Sequence, residues 1–355
     1  MTRPLPRLGA VLIVKNESAR TDACLTAAHA AGVEVCTLVD TGSSDSTVAV
    51  AKACAKRLGF RLKVSSIPYE GQGRSRTDAF MKAHGTAAWV LALDADMIVV
   101  VDPEFVPDPA IDAYTVELGG GGSTWRLPLV LNGSVLFDSR GAYHEWTGRA
   151  DGAPMVSLPT DAVRITMPNA APLTPEKLRW QLGLIEADAA EAPECGRWQF
   201  YIGQINRDLG NRDTARLAYL RRAAMGGWVE EQYYAAYQAA LLAPDWPTQA
   251  SELMAAWQMH PTRLEALQAL CRGLNARGMH EAAYRLAVIP TAPAPSGGMF
   301  VETGSWLYGM KFERHIAAWH VGRQDECRTL GEELLLRDDL PADVRAAVER
   351  NLTFC

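Results

Sequence analysis

Two carboxylates one residue apart, Asp94 and Asp96, close the apolar run of "WVLALDADMIVVV" (89–101). Side chains this close repel each other unless a cation lies between them or one stays protonated. A hard divalent ion with oxygen ligands is the simplest remedy. Two further apolar runs end in polar groups. "GAVLIV" (9–14) is followed by Lys15-Asn16-Glu17, and "VEVCTLVD" (33–40) ends in Asp40 before "TGSSDST". "GQGRSR" (71–76) brings Arg74 and Arg76, either of which could reach a phosphate. "RGAYHEW" (140–146) brings His144, a candidate metal ligand, beside Glu145, a candidate general base. On a regular strand those two side chains would face opposite ways, so both can act only if the backbone bends there. Aspartate is also common after strands as a turn or cap residue, and Asp45 reads as the cap of a helix over 46–58.

These groups need elements to carry them. Strands are expected at 9–14, 33–40, 61–67 and 88–94, and helices at 18–31, 44–59 and about 74–84. Ser18 is placed to cap the first helix and Gly59 to close the second. The β-α-β-α-β-α-β order predicts a parallel sheet covered by helices on both faces. Ligands of such sheets bind beyond the carboxyl ends of the strands, where Glu17, Asp40, Asp94 and Asp96 would share one rim. After Asp102 the pattern changes to strands without helices, "AYTVEL", "STWRLPLVL" and "SVLFDS". Asn132-Gly133 between the last two predicts a hairpin.

A Pro-rich linker at about 168–175 follows, and Thr174 can cap a helix that has Pro175 at its first position. From there nearly everything reads as helix. Gly203, Gly210, Ala215 and Tyr219 match successive small-residue offsets of the tetratricopeptide repeat, and Gly278 with Ala283 repeats part of the pattern. Gly210 and Gly278 are 68 residues apart, two periods of about 34. The unit near 244–257 is degenerate, and a loop at 290–298 interrupts the array. Trp198, Trp228, Trp257 and Trp306 fall in or near these helices; core packing explains most, and Trp228 is the candidate for sugar stacking.

The chain has 355 residues, 48% hydrophobic and 21% charged, with net charge −6. This suits two globular domains and gives no basic block for nucleic acid. No apolar run reaches the roughly 18 residues of a membrane span. The opening "MTRPLPRLGAVLIVKNE" loosely imitates a signal peptide, but its five-residue core reads as the first strand. Seven scattered cysteines without C-x-x-C fit neither a zinc site nor a disulfide framework, and suit a reducing, cytoplasmic setting.

Taken together, "VLIVKNES", "LVDTGSSDST" and "WVLALDADM" resemble the nucleotide-sugar domain of inverting family 2 glycosyltransferases with the GT-A fold. The resemblance is strongest over 9–100 and extends through "YHEW" into "GGWVEEQYYAAY" and "HPTRLEALQAL", as in the subgroup fused to tetratricopeptide-like helices. It implies a GT-A domain at 1–167, mostly parallel with an antiparallel addition, and an all-α domain at 168–355. By position it implies nucleotide-sugar binding by Lys15, Glu17, Asp40, Gly42, Arg76 and Asp94. Asp40 would meet the base, Glu17 the ribose, and Asp94 the ribose or the metal. Mn2+ or Mg2+ would be bound by Asp96 with His144. Glu145 would be the general base, with Asp138 as runner-up. Thr77 stands where the subgroup commonly has Asn, and Met97 where an acid often follows the D-x-D pair; the second departure favours Glu145. The implied reaction moves a sugar from a nucleotide-diphosphate donor, UDP favoured, to a hydroxyl of a protein or glycan. The helical half would bind acceptor or a second copy of the chain.

Two rivals remain. A sugar nucleotidyltransferase would need a Gly-rich, basic signature after the first strand, which "VKNESAR" does not supply. A non-catalytic scaffold would have no need for Asp40, Asp94, Asp96 and His144. P-loop and dinucleotide fingerprints are absent.

Overall fold

Apolar runs without polar alternation must be covered on both faces, and 35–40 and 89–93 are. A computed structural model of the chain describes residues 5–120, 123–168, 173–289 and 298–354. Positions 169–172 of the expected linker and 290–297 of the expected loop lie outside the described residues. The chain divides into two compact units, one of Met1–Gly119 with Trp125–Glu191, the other of Gly120–Thr124 with Ala192–Cys355.

In the first unit β1 (Leu8–Val14), β2 (Val35–Asp40), β3 (Arg61–Ser66) and β4 (Trp89–Leu93) alternate with α1 (Ser18–Ala30), α2 (Thr47–Leu58) and α3 (Gln72–Ala83). β1 pairs in parallel with β2 and β4, and β2 with β3. Every residue of β2 and of β4 is buried. The short β5 (Ile98–Val101) leaves this sheet, while β6 (Ala113–Gly120) and β7 (Ser123–Asn132) extend it. β8 (Phe137–Arg140), β9 (Trp146–Arg149), β10 (Ser157–Thr160) and β11 (Val163–Thr166) follow. The seven-stranded order is β10-β6-β7-β4-β1-β2-β3, with β7 antiparallel to β4. Two-stranded sheets β5–β11 and β8–β9 stand beside it. The stretch 89–101 is therefore two strands in different sheets, separated by a turn in which the Met97 N–H donates to the Asp94 carbonyl at 3.0 Å.

Two local expectations are corrected. Asn132-Gly133 makes no hairpin, because β8 pairs with β9 and not with β7. The Asn132 side chain instead donates to the carbonyls of Pro109 and Ile111 and accepts from Ser134. Gly133 is set by close approach: a Cβ there would sit 2.0 Å from the Ala87 carbonyl oxygen. Backbone cannot yield as a side chain can, so Gly133→Ala is expected to lower unfolding free energy by about 3 kcal/mol in urea titration. Ser18 does not cap α1. Its N–H donates to Asp45 at 3.1 Å, and the Glu17 N–H to Thr47 Oγ1 at 2.7 Å, so the second loop caps the first helix. Gly59 does close α2, at φ +81°.

Thr174 receives the Lys177 N–H at 3.3 Å and starts α4 (Pro175–Glu191), as expected. α4 belongs to the first compact unit, so that unit runs 24 residues past 167, to Glu191.

The second unit is built of helical hairpins: α5 (Gly196–Asp208) with α6 (Arg212–Ala224), α7 (Val229–Leu241) with α8 (Trp246–Met259), α9 (Glu265–Asn275) with α10 (His280–Ala287), and α11 (Met310–His320) with α12 (Gln324–Leu335), then α13 (Ala342–Leu352). Gly210, Gly278 and Gly322 turn three of them at φ +82°, +72° and +81°. Gly203 lets Tyr219 in, since a Cβ would meet that ring at 2.8 Å. Ala215 and Ala283 are wholly buried, which explains the small-residue offsets. The degenerate hairpin turns without glycine, on Asp245 capping α8 through the Thr248 N–H. Trp198 is buried, and Trp257 and Trp306 pack on the Leu264–Leu267–Met310 cluster. Trp228 is 51% exposed. Among the described residues all cysteines are free, and no helix is long and apolar enough to cross a membrane.

Candidate active site

The carboxyl ends of β1, β2 and β4 form the expected rim. Asn16, left-handed at φ +58°, accepts the Ser44 N–H at 2.8 Å and donates its own N–H to Ser43 Oγ at 2.9 Å. The loops after β1 and β2 are thereby pinned together. Asp45 takes part through Thr47 and Ser18, and hydrogen bonding from Thr47 above all holds its carboxyl well below the usual range. Asp45 is thus a structural cap. Asp40 is buried and accepts the Ser43 N–H at 3.1 Å, closing a turn through Gly42 at φ +99°, where a side chain would be strained. Glu17 pairs with Arg20 at 2.8 Å, and the Lys15 ammonium lies 5.6 Å from the Tyr69 ring centroid.

Arg76 organises the centre. From α3 its Nη2 donates to Asp94 at 2.9 Å and its Nε to Glu145 at 2.7 Å. Burial opposes its charge, but the two carboxylates outweigh burial and hold the guanidinium above its usual pKa. Arg74, on the same helix, is exposed. The glycines beside it serve packing: a Cβ on Gly73 would lie 2.6 Å from the Gly141 carbonyl. That contact seats the segment 139–145 on α3, with the Gln72 N–H donating to the Ala142 carbonyl at 2.8 Å. From α4, Asp188 accepts the Ala142 N–H at 2.7 Å.

Tyr143, His144 and Glu145 lie in the loop between β8 and β9, and His144 is left-handed at φ +53°. The bend required for His144 and Glu145 to serve one site is present. Asp138 is on β8 and binds Arg140 Nε at 3.0 Å.

Asp96 is half-buried. Burial first, then Asp94 and Glu17, push its carboxyl pKa above the usual value. A carboxylate so placed suits a cation partner, so the donor set fits a hard divalent ion at Asp94 and Asp96. His144 does not gather with them: among the described residues no three of His, Cys, Asp and Glu are close enough to hold a metal. A cleft of about 410 Å3 lies at the other ends of the strands, lined by Leu8, Trp89, Leu91 and Val130, and contains none of these groups.

The structural roles of three residues were not legible in the sequence. Met97 is buried, and its Sδ accepts the Asp94 N–H at 3.4 Å, so it supports the turn that aims the aspartates. Thr77 Oγ1 accepts the Ser139 N–H at 2.8 Å and donates to the Ser139 carbonyl at 3.1 Å, fastening β8 to α3. Asp188 acts across the chain from α4, with no local sequence signal.

Residues 10–107 match the family model for glycosyl transferase family 2. No curated protein matches the chain. Among solved structures, glucosyl-3-phosphoglycerate synthase from Mycobacterium tuberculosis, in complex with Mn2+, UDP and phosphoglyceric acid, is 23% identical, covering 33% of this chain and 44% of its own, with a TM-score of 0.25. MamA is 14% identical over 44% of this chain and 85% of its own, TM-score 0.35. A tetratricopeptide repeat protein of Thermus thermophilus, TTC0263, is 14% identical over 50% of this chain and 92% of its own, TM-score 0.33. The segment 10–107, which carries most of β1 and all of β2 through β5 with the Asp40, Arg76 and Asp94-x-Asp96 groups of the rim, is thus similar to glycosyl transferase family 2, and helical hairpins follow later in the same chain.

Proposed function

We propose that the protein transfers a sugar from a nucleotide-diphosphate donor, UDP favoured, to an acceptor hydroxyl with inversion. The observation that carries this reading is the Asp94–Arg76–Glu145 chain of contacts, which links the D-x-D turn to a carboxylate from a loop outside the matched segment. In this reading Asp40 and the Gly42 turn receive the base, and Lys15 and Glu17 flank the ribose. Asp96, with Asp94, would hold Mn2+ or Mg2+, which when bound supplies positive charge to the diphosphate leaving group. His144 would join only through movement of its loop.

Glu145 takes the proton of the acceptor hydroxyl as that oxygen attacks the anomeric carbon from the side opposite the diphosphate. While Arg76 binds Glu145, the guanidinium occupies one of its carboxylate oxygens, at 2.7 Å. A donor diphosphate competes for the guanidinium, since Arg binds phosphate and carboxylate by the same fork. Donor binding would thus free Glu145 before the acceptor reacts. Arg76 also holds the fold: Arg76→Met leaves two acids without their partner and is expected to lower unfolding free energy by about 2 kcal/mol, read by urea titration.

The helical unit offers surface for an acceptor or a second copy of the chain, as stacked helix pairs do. The reaction is tested by incubating the protein with a panel of nucleotide-sugars and measuring nucleotide release. Release from UDP-sugars in preference to others supports the reading. A protein that binds and cleaves none of them is not a transferase of this class.

A further inference from the structure

α4 buries Leu178, Gln181 and Ile185, one face of the helix. Trp180 lies off that face and is 48% exposed. It is not idle there. Its ring centroid is 5.8 Å from that of Tyr143, edge to face, and 6.3 Å from that of Tyr69. Tyr143 in turn meets the His144 ring at 4.8 Å and directly precedes the His144-Glu145 pair. The Asp188–Ala142 hydrogen bond fixes α4 against the same loop. Glu145 is near enough to act electrostatically on both tyrosines. Burial first and then Glu145 raise the pKa of both hydroxyls.

The geometry points to Tyr69, Tyr143 and Trp180 as an acceptor subsite that takes a sugar ring against the half-exposed Trp180 side chain, which makes the acceptor a glycan or glycoside. This rests on the function proposed above, with Glu145 as base. Aromatic side chains present broad apolar faces at low conformational cost, with polar tips to orient a ligand. A pyranose suits such a surface, because its C–H face is apolar and its rim carries hydroxyls. A ring on this platform would lie beside the loop that carries Glu145, and Lys15, 5.6 Å from the Tyr69 ring centroid, would mark its border with the donor.

Saturation-transfer NMR in the presence of UDP and Mn2+ tests this, with methyl β-D-glucopyranoside, methyl β-D-galactopyranoside and methyl N-acetyl-β-D-glucosaminide as probes. At least one is expected to receive saturation on its ring C–H protons. Trp180→Ala and Trp180→Leu are expected to weaken that glycoside about tenfold, and Trp180→Phe to restore most of it. The leucine variant retains apolar bulk and separates loss of the aromatic face from loss of folding, which a cooperative melt checks. Equal affinity in all variants, or no glycoside bound by the wild type while it cleaves nucleotide-sugars, overturns the subsite and leaves the transferase reading standing. Uracil signals that depend on Trp180 overturn it too, by assigning the platform to the donor base. A wild type that neither binds UDP nor cleaves any nucleotide-sugar contradicts the transferase reading instead.

Discussion

Glu145→Gln is expected to reduce sugar transfer by about 10²–10⁴-fold, the usual contribution of a positioned general base. The substitution is suited to the question because it keeps shape and contact. A glutamine oxygen can still accept the Arg76 Nε–H that Glu145 now accepts at 2.7 Å, so α3 and the loop stay joined. What it cannot do is take a proton from the acceptor. UDP binding should survive, and the loss should appear in kcat at saturating acceptor. A normal kcat would place the base elsewhere. Asp138 would then be next, although its bond to Arg140 on the β8–β9 pair would have to break first.

Asp96→Ala is expected to lower turnover about 10²–10³-fold, on the scale of removing one group that stabilises charge developing on a reacting oxygen. Asp94 is already engaged by Arg76, whereas Asp96 is half-buried beside Asp94 and Glu17, and its carboxyl pKa is raised. A divalent ion would relieve that crowding, which is why Asp96 carries the metal assignment. Wild type should lose activity in EDTA and regain it with Mn2+, and the variant should respond little to either. Full activity in EDTA would make the assignment wrong.

The β-α-β succession was legible because buried parallel strands are written as continuous apolar runs, as in β2 and β4. The rim was legible for the same reason: Asp40 and Asp94 are where those runs stop. Tetratricopeptide-like offsets were readable because close helix packing demands small residues, as Gly203 against Tyr219 shows. Failures came where a local signal served a distant contact. Asn132-Gly133 has hairpin composition, yet its asparagine braces Pro109 and Ile111 and its glycine admits Ala87. Ser18 has cap chemistry, but Asp45 from another loop takes the position. The double engagement of Arg76 could not be read at all, since it joins residues 18 and 69 positions away in sequence. In the proposed reaction that contact would have to give way before Glu145 could take a proton.

The claim that this rim holds a metal-bound nucleotide diphosphate is tested most directly by thermal unfolding of the wild-type protein with UDP, with Mn2+, and with both. The melting temperature should rise with the two together well beyond the sum of their separate effects, and Asp96→Ala should abolish that excess. A melting temperature unchanged by UDP with Mn2+ at saturating concentration would contradict it.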